Sequence, residues 1–387
     1  MDRTVRRGIA LVTLLSAPGL LEAGIPLYRN GSGLKLDLGV RVQLQYYHLG
    51  DQGWSEEKLY FRRLRPAVEA SFSPNWEAEA EFDFGDTVEG ETVEFKDVFV
   101  SYRGLESKGF LVTVGNEKAV YSRQLQSSSK SLTLVERGFV GVDDFGSLDR
   151  VVGARVDGRD SRERLTMAAS IGLASHEPDA SQMEFESPLN AGEEANRGWS
   201  LSGRVELQPL GEVDYDQGDF GSEHLRFALA AAAYRWSNDG SRNPYTENGR
   251  STREDAADLD RSHGVEVSGA LRGRGLSADA EIQWVRGGTT DRAFTGGVYD
   301  RGEAELSKLS LQSGFMVLPG RVELVSGYDR LDAATYASAW KRVTLGATYY
   351  WKRQQLKLQC NYVLHWSFFG AAGDDPRAFV TQLQIVF

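Results

Sequence analysis

The fold class predicted by this sequence is an all-β transmembrane barrel of sixteen antiparallel strands. Three observations predict it. Apolar and polar residues alternate with period two along the chain, the links between alternating segments are short and long by turns, and the last segment ends on an aromatic residue, Phe387. Period two is the signature of a strand with two unlike faces, and the alternation of link lengths is that of a membrane barrel with short turns at one end and long loops at the other.

Composition narrows the alternatives. With 41% hydrophobic and 26% charged residues in 387, the chain has too much apolar surface to stay disordered. A mean hydropathy of -0.39 and the absence of any run of eighteen apolar residues argue against a helical membrane bundle. They leave a barrel open, because a barrel hides its hydrophobicity in alternation. A net charge of -11 disfavours nucleic-acid binding. Cys360 is the one cysteine, and His48, His176, His224, His263 and His365 are scattered, so neither a disulfide nor a Cys/His metal cluster is available. No Ser or Cys sits in a nucleophile elbow. No cofactor is expected, and the chain does not read as an enzyme.

The elements follow in order. Arg3, Arg6 and Arg7 precede an apolar stretch from Gly8 to Leu15, Pro18-Gly19 break it, and Ala23 stands at a cleavage point. Residues 1–23 thus read as a secretory signal peptide, and 24–387 as a single barrel domain. Removing the signal leaves a net charge of -12, since three Arg leave with Asp2 and Glu22. From Leu34, seven apolar residues (Leu34, Leu36, Leu38, Val40, Val42, Leu44, Tyr46) alternate with Lys35, Asp37, Gly39, Arg41, Gln43 and Gln45. Farther on, Trp76, Ala78, Ala80, Phe82 and Phe84 alternate with Glu77, Glu79, Glu81 and Asp83, one face apolar and the other acidic. Strands are expected to start near residues 34, 59, 76, 95, 110, 150, 165, 199, 225, 264, 276, 308, 321, 342, 354 and 379.

Short links are expected at 73–75, 103–109, 157–160, 273–275, 319–320 and 352–353. Long ones are expected at 49–58, 86–94, 118–149, 174–198, 236–262, 286–307, 329–341 and 367–378. One link, 208–224, is long and acidic on the short-turn side and breaks the rule. An even strand count puts both termini at that side, the periplasm of an outer-membrane barrel. Trp and Tyr near strand ends, among them Trp76, Trp199, Trp284, Trp351 and Trp366, suit an interfacial girdle in outer-membrane lipid.

Phe61 to Ala70 (FRRLRPAVEA), Trp76 to Phe84 (WEAEAEFDF) and Lys96 to Tyr102 (KDVFVSY) resemble strands of the phosphate-selective porin O and P family. So do Gly115 to Ser122 (GNEKAVYS) and Ser127 to Arg137 (SSSKSLTLVER), which are similar to that family's fifth strand and inward-folding loop. Where the family commonly has Pro-Phe after the loop lysine, this chain has Val120-Tyr121. The resemblance implies a sixteen-stranded, usually homotrimeric outer-membrane channel that performs no chemistry, is narrowed by its third long loop and favours small anions. An aromatic C-terminal residue resembles the signal by which such proteins reach the barrel-assembly machinery, here Phe387.

Selectivity depends on the charges at the narrowest point, where a low dielectric makes a few of them count. The 118–149 link is the candidate constriction loop. Lys118, Arg123, Lys130 and Arg137 against Glu136 give its first part a net charge of +3, and Asp143, Asp144 and Asp149 follow. Arg63 and Arg65 on the second strand join the candidate anion-binding set. Around the turn at residues 73–75, pairing places Arg65 opposite Asp83 and Glu69 opposite Glu79, a mixed wall. The expected function is passive diffusion of small hydrophilic solutes with a weak anion preference. The alternative is a barrel used as a surface scaffold or adhesin, whose loops 174–198 and 236–262 bind partners. A soluble secreted β-protein is a third reading.

Overall fold

The computed structural model describes residues 24–31, 33–51, 54–85, 93–179 and 181–387, so the signal-peptide reading of 1–23 lies outside the described residues. Sixteen long strands follow one another: β1 Lys35–Asp51, β2 Trp54–Ser73, β3 Trp76–Asp83, β4 Glu94–Tyr102, β5 Phe110–Lys118, β6 Arg150–Arg159, β7 Leu165–Glu177 and β8 Asn196–Leu207. They continue with β9 Arg226–Asn238, β10 Leu259–Gly273, β11 Leu276–Thr289, β12 Glu303–Leu318, β13 Val322–Ala333, β14 Trp340–Lys352, β15 Leu356–Trp366 and β16 Arg377–Val386. Each pairs antiparallel with the next, and β1 pairs with β16 from Arg41↔Val386 to Gly50↔Arg377, which closes the sheet and leaves no long free edge. Short strands at Ile25–Arg29, Glu184–Glu186 and Tyr299–Asp300 extend the same sheet, the first against the start of β1.

The pattern of β8 shows why period two folds this way. Trp199, Leu201, Val205 and Leu207 are 50–59% exposed, whereas Ser200, Ser202, Arg204 and Glu206 between them are at most 4% exposed. A soluble sandwich would bury the apolar row; here the apolar row faces outward and the polar row faces in, as lipid outside and a polar lumen inside require. Exposed aromatics gather at both rims. Trp199, Trp284, Trp366 and Phe379 lie at the long-loop end, and Trp76, Phe110, Phe315 and Trp351 at the other.

The sixteen expected strands are present, with shifted ends. The expected long link 49–58 is not one: β1 runs to Asp51 and β2 begins at Trp54. Strand residues that project past the apolar band are polar, so polarity there does not mark the strand end. A two-residue turn joins β10 to β11, with Arg274 (φ 58) and Gly275 (φ 78) both left-handed, the geometry that matches strand twist. The link 208–225 is as long as its sequence indicated, and its middle enters the barrel.

Two bulges add charge to the lumen. Gln43 pairs with Arg63 and Leu44 with Phe61, so Arg62 is an extra residue in β2. Tyr60 before the bulge and Arg63 and Arg65 after it all face inward, and Arg62 joins them. Between β3 and β4, Ala80 pairs with Val98 and Phe82 with Phe95, so Lys96 and Asp97 share one step and both line the lumen.

Candidate constriction site

The 119–149 link leaves the wall at Lys118 and returns to it at Arg150, its neck closed by Ala119 N donating to Asp149 O at 2.7 Å. Between these points it crosses the lumen. Ser122 caps a short helix, Arg123–Gln126, by accepting from Leu125 N at 3.2 Å. A loop inside a barrel has backbone groups that water does not reach, and here the wall supplies their partners. Lys357 Nζ donates to Leu132 O at 2.6 Å and Gln359 Nε2 to Thr133 O at 2.8 Å, Val135 N donates to Asn361 Oδ1 at 2.7 Å, and Arg342 Nη2 donates to Arg137 O at 2.6 Å. At Gly138 loop and wall approach too closely for a side chain: a Cβ there would lie 2.1 Å from Asp329 Oδ1 and 2.3 Å from Ser310 Oγ.

Beyond Gly138 the loop turns apolar. Phe139, Phe145 and Leu148 form a buried cluster with Met183 and Phe185 of the link after β7, with Phe294, Val298 and Tyr299 of the link after β11, and with Trp236 and Trp340 of the wall. This cluster, with the polar anchors above, occupies the side of the lumen lined by β8 to β15. Cavities of ≈ 340 Å³ and ≈ 350 Å³ lie beside Arg155, Arg204 and Tyr215 and beside Gln45, Tyr60 and Trp340. A polar cavity of ≈ 230 Å³ lies against β1 to β6.

Eight cations and seven acids line that cavity, a net of +1. Most of them neutralise one another. Arg41 pairs with Glu81 (3.1 Å), Arg62 with Glu136 (3.3 Å), and Arg65 with Asp83 (2.5 Å) and Glu81 (3.4 Å). Arg150 pairs with Asp97 (3.1 Å) and Asp149 (2.9 Å), and Lys96 pairs with Glu94.

Three cations stand apart. Arg63 donates to Gln43 Oε1 at 2.9 Å, and Lys118 donates to Ser127 O at 3.1 Å. Arg137 donates to Gln124 O at 3.0 Å and to Ser127 O at 2.7 Å. None of the three has a carboxylate at ion-pair distance among the described residues. Arg137 lies within electrostatic range of both Arg63 and Lys118. Burial pushes the Arg137 guanidinium down to about 10, so it remains charged at neutral pH. Asp143, the acid of the cavity without a cation partner, is pushed up to about 7 by burial and by the Asp149 and Asp144 carboxylates.

Of the six residues expected to form the site, Arg63, Arg65, Lys118 and Arg137 line this cavity. Arg123 does not. It turns to the opposite wall, where Nη1 reaches Glu206 at 2.8 Å and Nε reaches Asp279 at 3.3 Å, so its charge is consumed in holding the loop. Lys130 is exposed, lies near Glu79 and does not line the cavity. Glu69 and Glu79 do face each other across the β2 and β3 pair. The candidate set left out Arg41, Arg62, Lys96 and Arg150, and counted Asp143 only among the acids that follow the basic stretch of the loop. The parity of Arg41 with Gln43 and Gln45 was a usable signal, whereas Arg62 and Lys96 depend on the bulges.

Comparisons with known proteins agree with the barrel fold. A family model described as phosphate-selective porin O and P matches residues 34–387. Among solved structures, the chain is similar to the anion-selective porin from Comamonas acidovorans, with 13% identity, TM-score 0.57 and coverage of 92% of this chain and 100% of that one. It is likewise similar to Salmonella typhi OmpF in complex with daunomycin (13%, TM-score 0.58, 93% and 100% covered) and to the outer-membrane channel DcaP of Acinetobacter baumannii (12%, TM-score 0.56, 94% and 100% covered). At these identities the likeness is one of fold. No curated protein matched by sequence.

Proposed function

The chain belongs to the phosphate-selective porin O and P family and is an outer-membrane porin; from that premise we propose that it passes small hydrophilic solutes by diffusion with a weak anion preference set by Arg63, Lys118 and Arg137. The observation that carries the preference is the absence, among the described residues, of a carboxylate partner for these three in a cavity where the other cations have one. Each offers N–H donors that replace part of an anion's hydration shell. Backbone carbonyls and an amide hold the side chains without neutralising them, so an anion is attracted and still released. Arg65 contributes little, since Glu81 and Asp83 already balance it. Phosphate-like anions fit this donor set, and nothing in it restricts passage to phosphate.

Export with loss of residues 1–23, delivery to the barrel-assembly machinery through Phe387, and assembly as a homotrimer in outer-membrane lipid belong to the same reading. The deciding experiment is single-channel recording of the purified protein in planar bilayers. Open-channel steps with a reversal potential displaced to the anion side in a KCl gradient are expected, and a silent protein would leave the scaffold or adhesin reading in its place.

The charge on Asp143 makes a second expectation. Its folded value of about 7 lies above the ordinary 3.8, so on acidification the carboxyl becomes neutral while Arg137, at about 10, stays charged. Between about pH 8 and about pH 6 the anion preference should therefore increase, and Asp143→Asn should show the stronger preference at both pH values. The stability sign is the matching one: the ionised form is the costly one, so stability falls as pH rises from about 4 to about 7 and levels off above that. A reversal potential with the same pH dependence in the parent and in Asp143→Asn would show that another group titrates.

A further inference from the structure

The link between β8 and β9, residues 208–225, stands at the short-turn end, yet it does not lie across the rim as the other turns there do. Its central residues reach up into the lumen and meet the underside of the constriction loop. Arg123 Nη2 donates to Asp214 O at 2.9 Å, and Ser127 Oγ donates to Tyr215 O at 2.7 Å. The Tyr215 ring lies 4.9 Å from the Arg123 guanidinium. Gln217, 2% exposed, accepts at Oε1 from Thr133 N at 3.0 Å, while its own N donates to Ser131 O at 3.2 Å. Four positions of the loop, Arg123, Ser127, Ser131 and Thr133, therefore rest on three turn residues, Asp214, Tyr215 and Gln217.

The supported stretch is the one that holds two of the unpaired cations. Ser127 O accepts from both Lys118 Nζ and Arg137 Nη2, and Gln124 O accepts from Arg137 Nε. Ser127 thus faces the cations through its carbonyl and the turn through its hydroxyl. We propose that residues 208–225 form a fixed floor beneath the constriction loop, and that Tyr215 and Gln217 are positioning residues which set where Lys118 and Arg137 stand in the pore. This rests on the porin reading above and adds to it a periplasmic element that determines selectivity without contacting the solute. The reason is mechanical: a loop held only from the wall side could tilt toward the periplasm, carrying the Ser127 carbonyl with it, and both cations would lose a shared acceptor.

The test uses full-length protein in planar bilayers, with folding checked by heat-modifiable gel migration. In one variant residues 212–221 are deleted, which leaves a turn similar in length to 103–109 and spares the β8 and β9 ladder, paired from Gly198↔Asn238 to Leu207↔Leu229. A second carries Tyr215→Ala with Gln217→Ala, and a third carries Tyr215→Phe, which keeps the ring on Arg123. The deletion is expected to raise conductance roughly twofold, by unblocking part of the lumen, and both it and the double variant are expected to move the reversal potential toward zero. Tyr215→Phe should match the parent. If the deletion variant does not migrate as a folded barrel, the double variant decides. Conductance that rises with an unchanged reversal potential, or no change in either quantity, overturns the positioning role while the porin reading stands. A parent that carries no current removes both.

Discussion

Replacing Arg63, Lys118 and Arg137 together by glutamine is expected to abolish the anion preference of this channel, and replacing Lys118 and Arg137 by glutamate to reverse it. The magnitude follows from Coulomb's law. At 4 Å a unit charge is worth about 1 kcal/mol to a passing ion in bulk water, and about 4 kcal/mol at the effective dielectric of a protein surface. Since about 1.4 kcal/mol is tenfold in an equilibrium, even the lower figure changes the local anion population several-fold for each charge removed. Salt weakens the effect, so the recordings belong at about 0.1 M or below, where the Debye length is about 10 Å. Controls separate the site from bulk charge. Lys130→Glu changes the net charge by as much as Lys118→Glu, but Lys130 is exposed beside Glu79, and its effect should be small. Replacing Arg65 and Asp83 together by Gln and Asn should also shift selectivity less than Lys118→Gln, because it removes a balanced pair and leaves the net charge of the cavity unchanged. Equal shifts from Lys118→Glu and Lys130→Glu would mean that general surface charge, not this cavity, governs the potential.

The residues that support this prediction were legible to unequal degrees. Strand identity and facing could be read because lipid and lumen impose opposite demands on neighbouring residues, and Gln43, Gln45 and Arg63 follow that parity. The inward course of the constriction loop rested on resemblance; no local pattern in Ser127 to Arg137 encodes which wall side chains will meet its backbone. Arg123 illustrates the cost. Its charge counted toward the filter in the sequence, but a four-residue helix turns it to Glu206 and Asp279, acids more than eighty positions away in the chain. Bulges were equally hidden, because an extra residue in a strand alters facing without altering composition. The link 208–225 was the opposite case: its length and acidity marked it as irregular, and only the fold shows that Gln217 lies under Thr133.

Arg204→Met is expected to cost about 3–5 kcal/mol of stability, the largest effect of any single substitution considered. Arg204 is 3% exposed and serves four partners at once: both carboxylate oxygens of Glu266 at 2.9 and 3.0 Å, Glu206 at 3.2 Å, Ser268 Oγ at 2.8 Å and the backbone O of Tyr121 at 3.0 Å. Methionine fills similar space and supplies none of these bonds. Glu206 retains Arg123 at 2.8 Å, but Glu266, 1% exposed, is left with no cation at ion-pair distance among the described residues. A buried carboxylate that has lost its partner costs far more than the pair was worth, because its desolvation is no longer offset. The midpoint of urea unfolding in lipid vesicles, followed by gel migration, measures the loss at constant slope. Adding Glu266→Gln to Arg204→Met should recover part of it, since the amide removes the stranded charge while keeping the shape, and a recovery in the double variant identifies the charge as the cause. Because Arg204 also holds the Tyr121 carbonyl at the root of the constriction loop, the single variant should in addition give noisier open-channel current than Glu266→Gln alone. A loss confined to a few tenths of a kcal/mol would mean that lumen water reaches Glu266 and solvates it in place of Arg204.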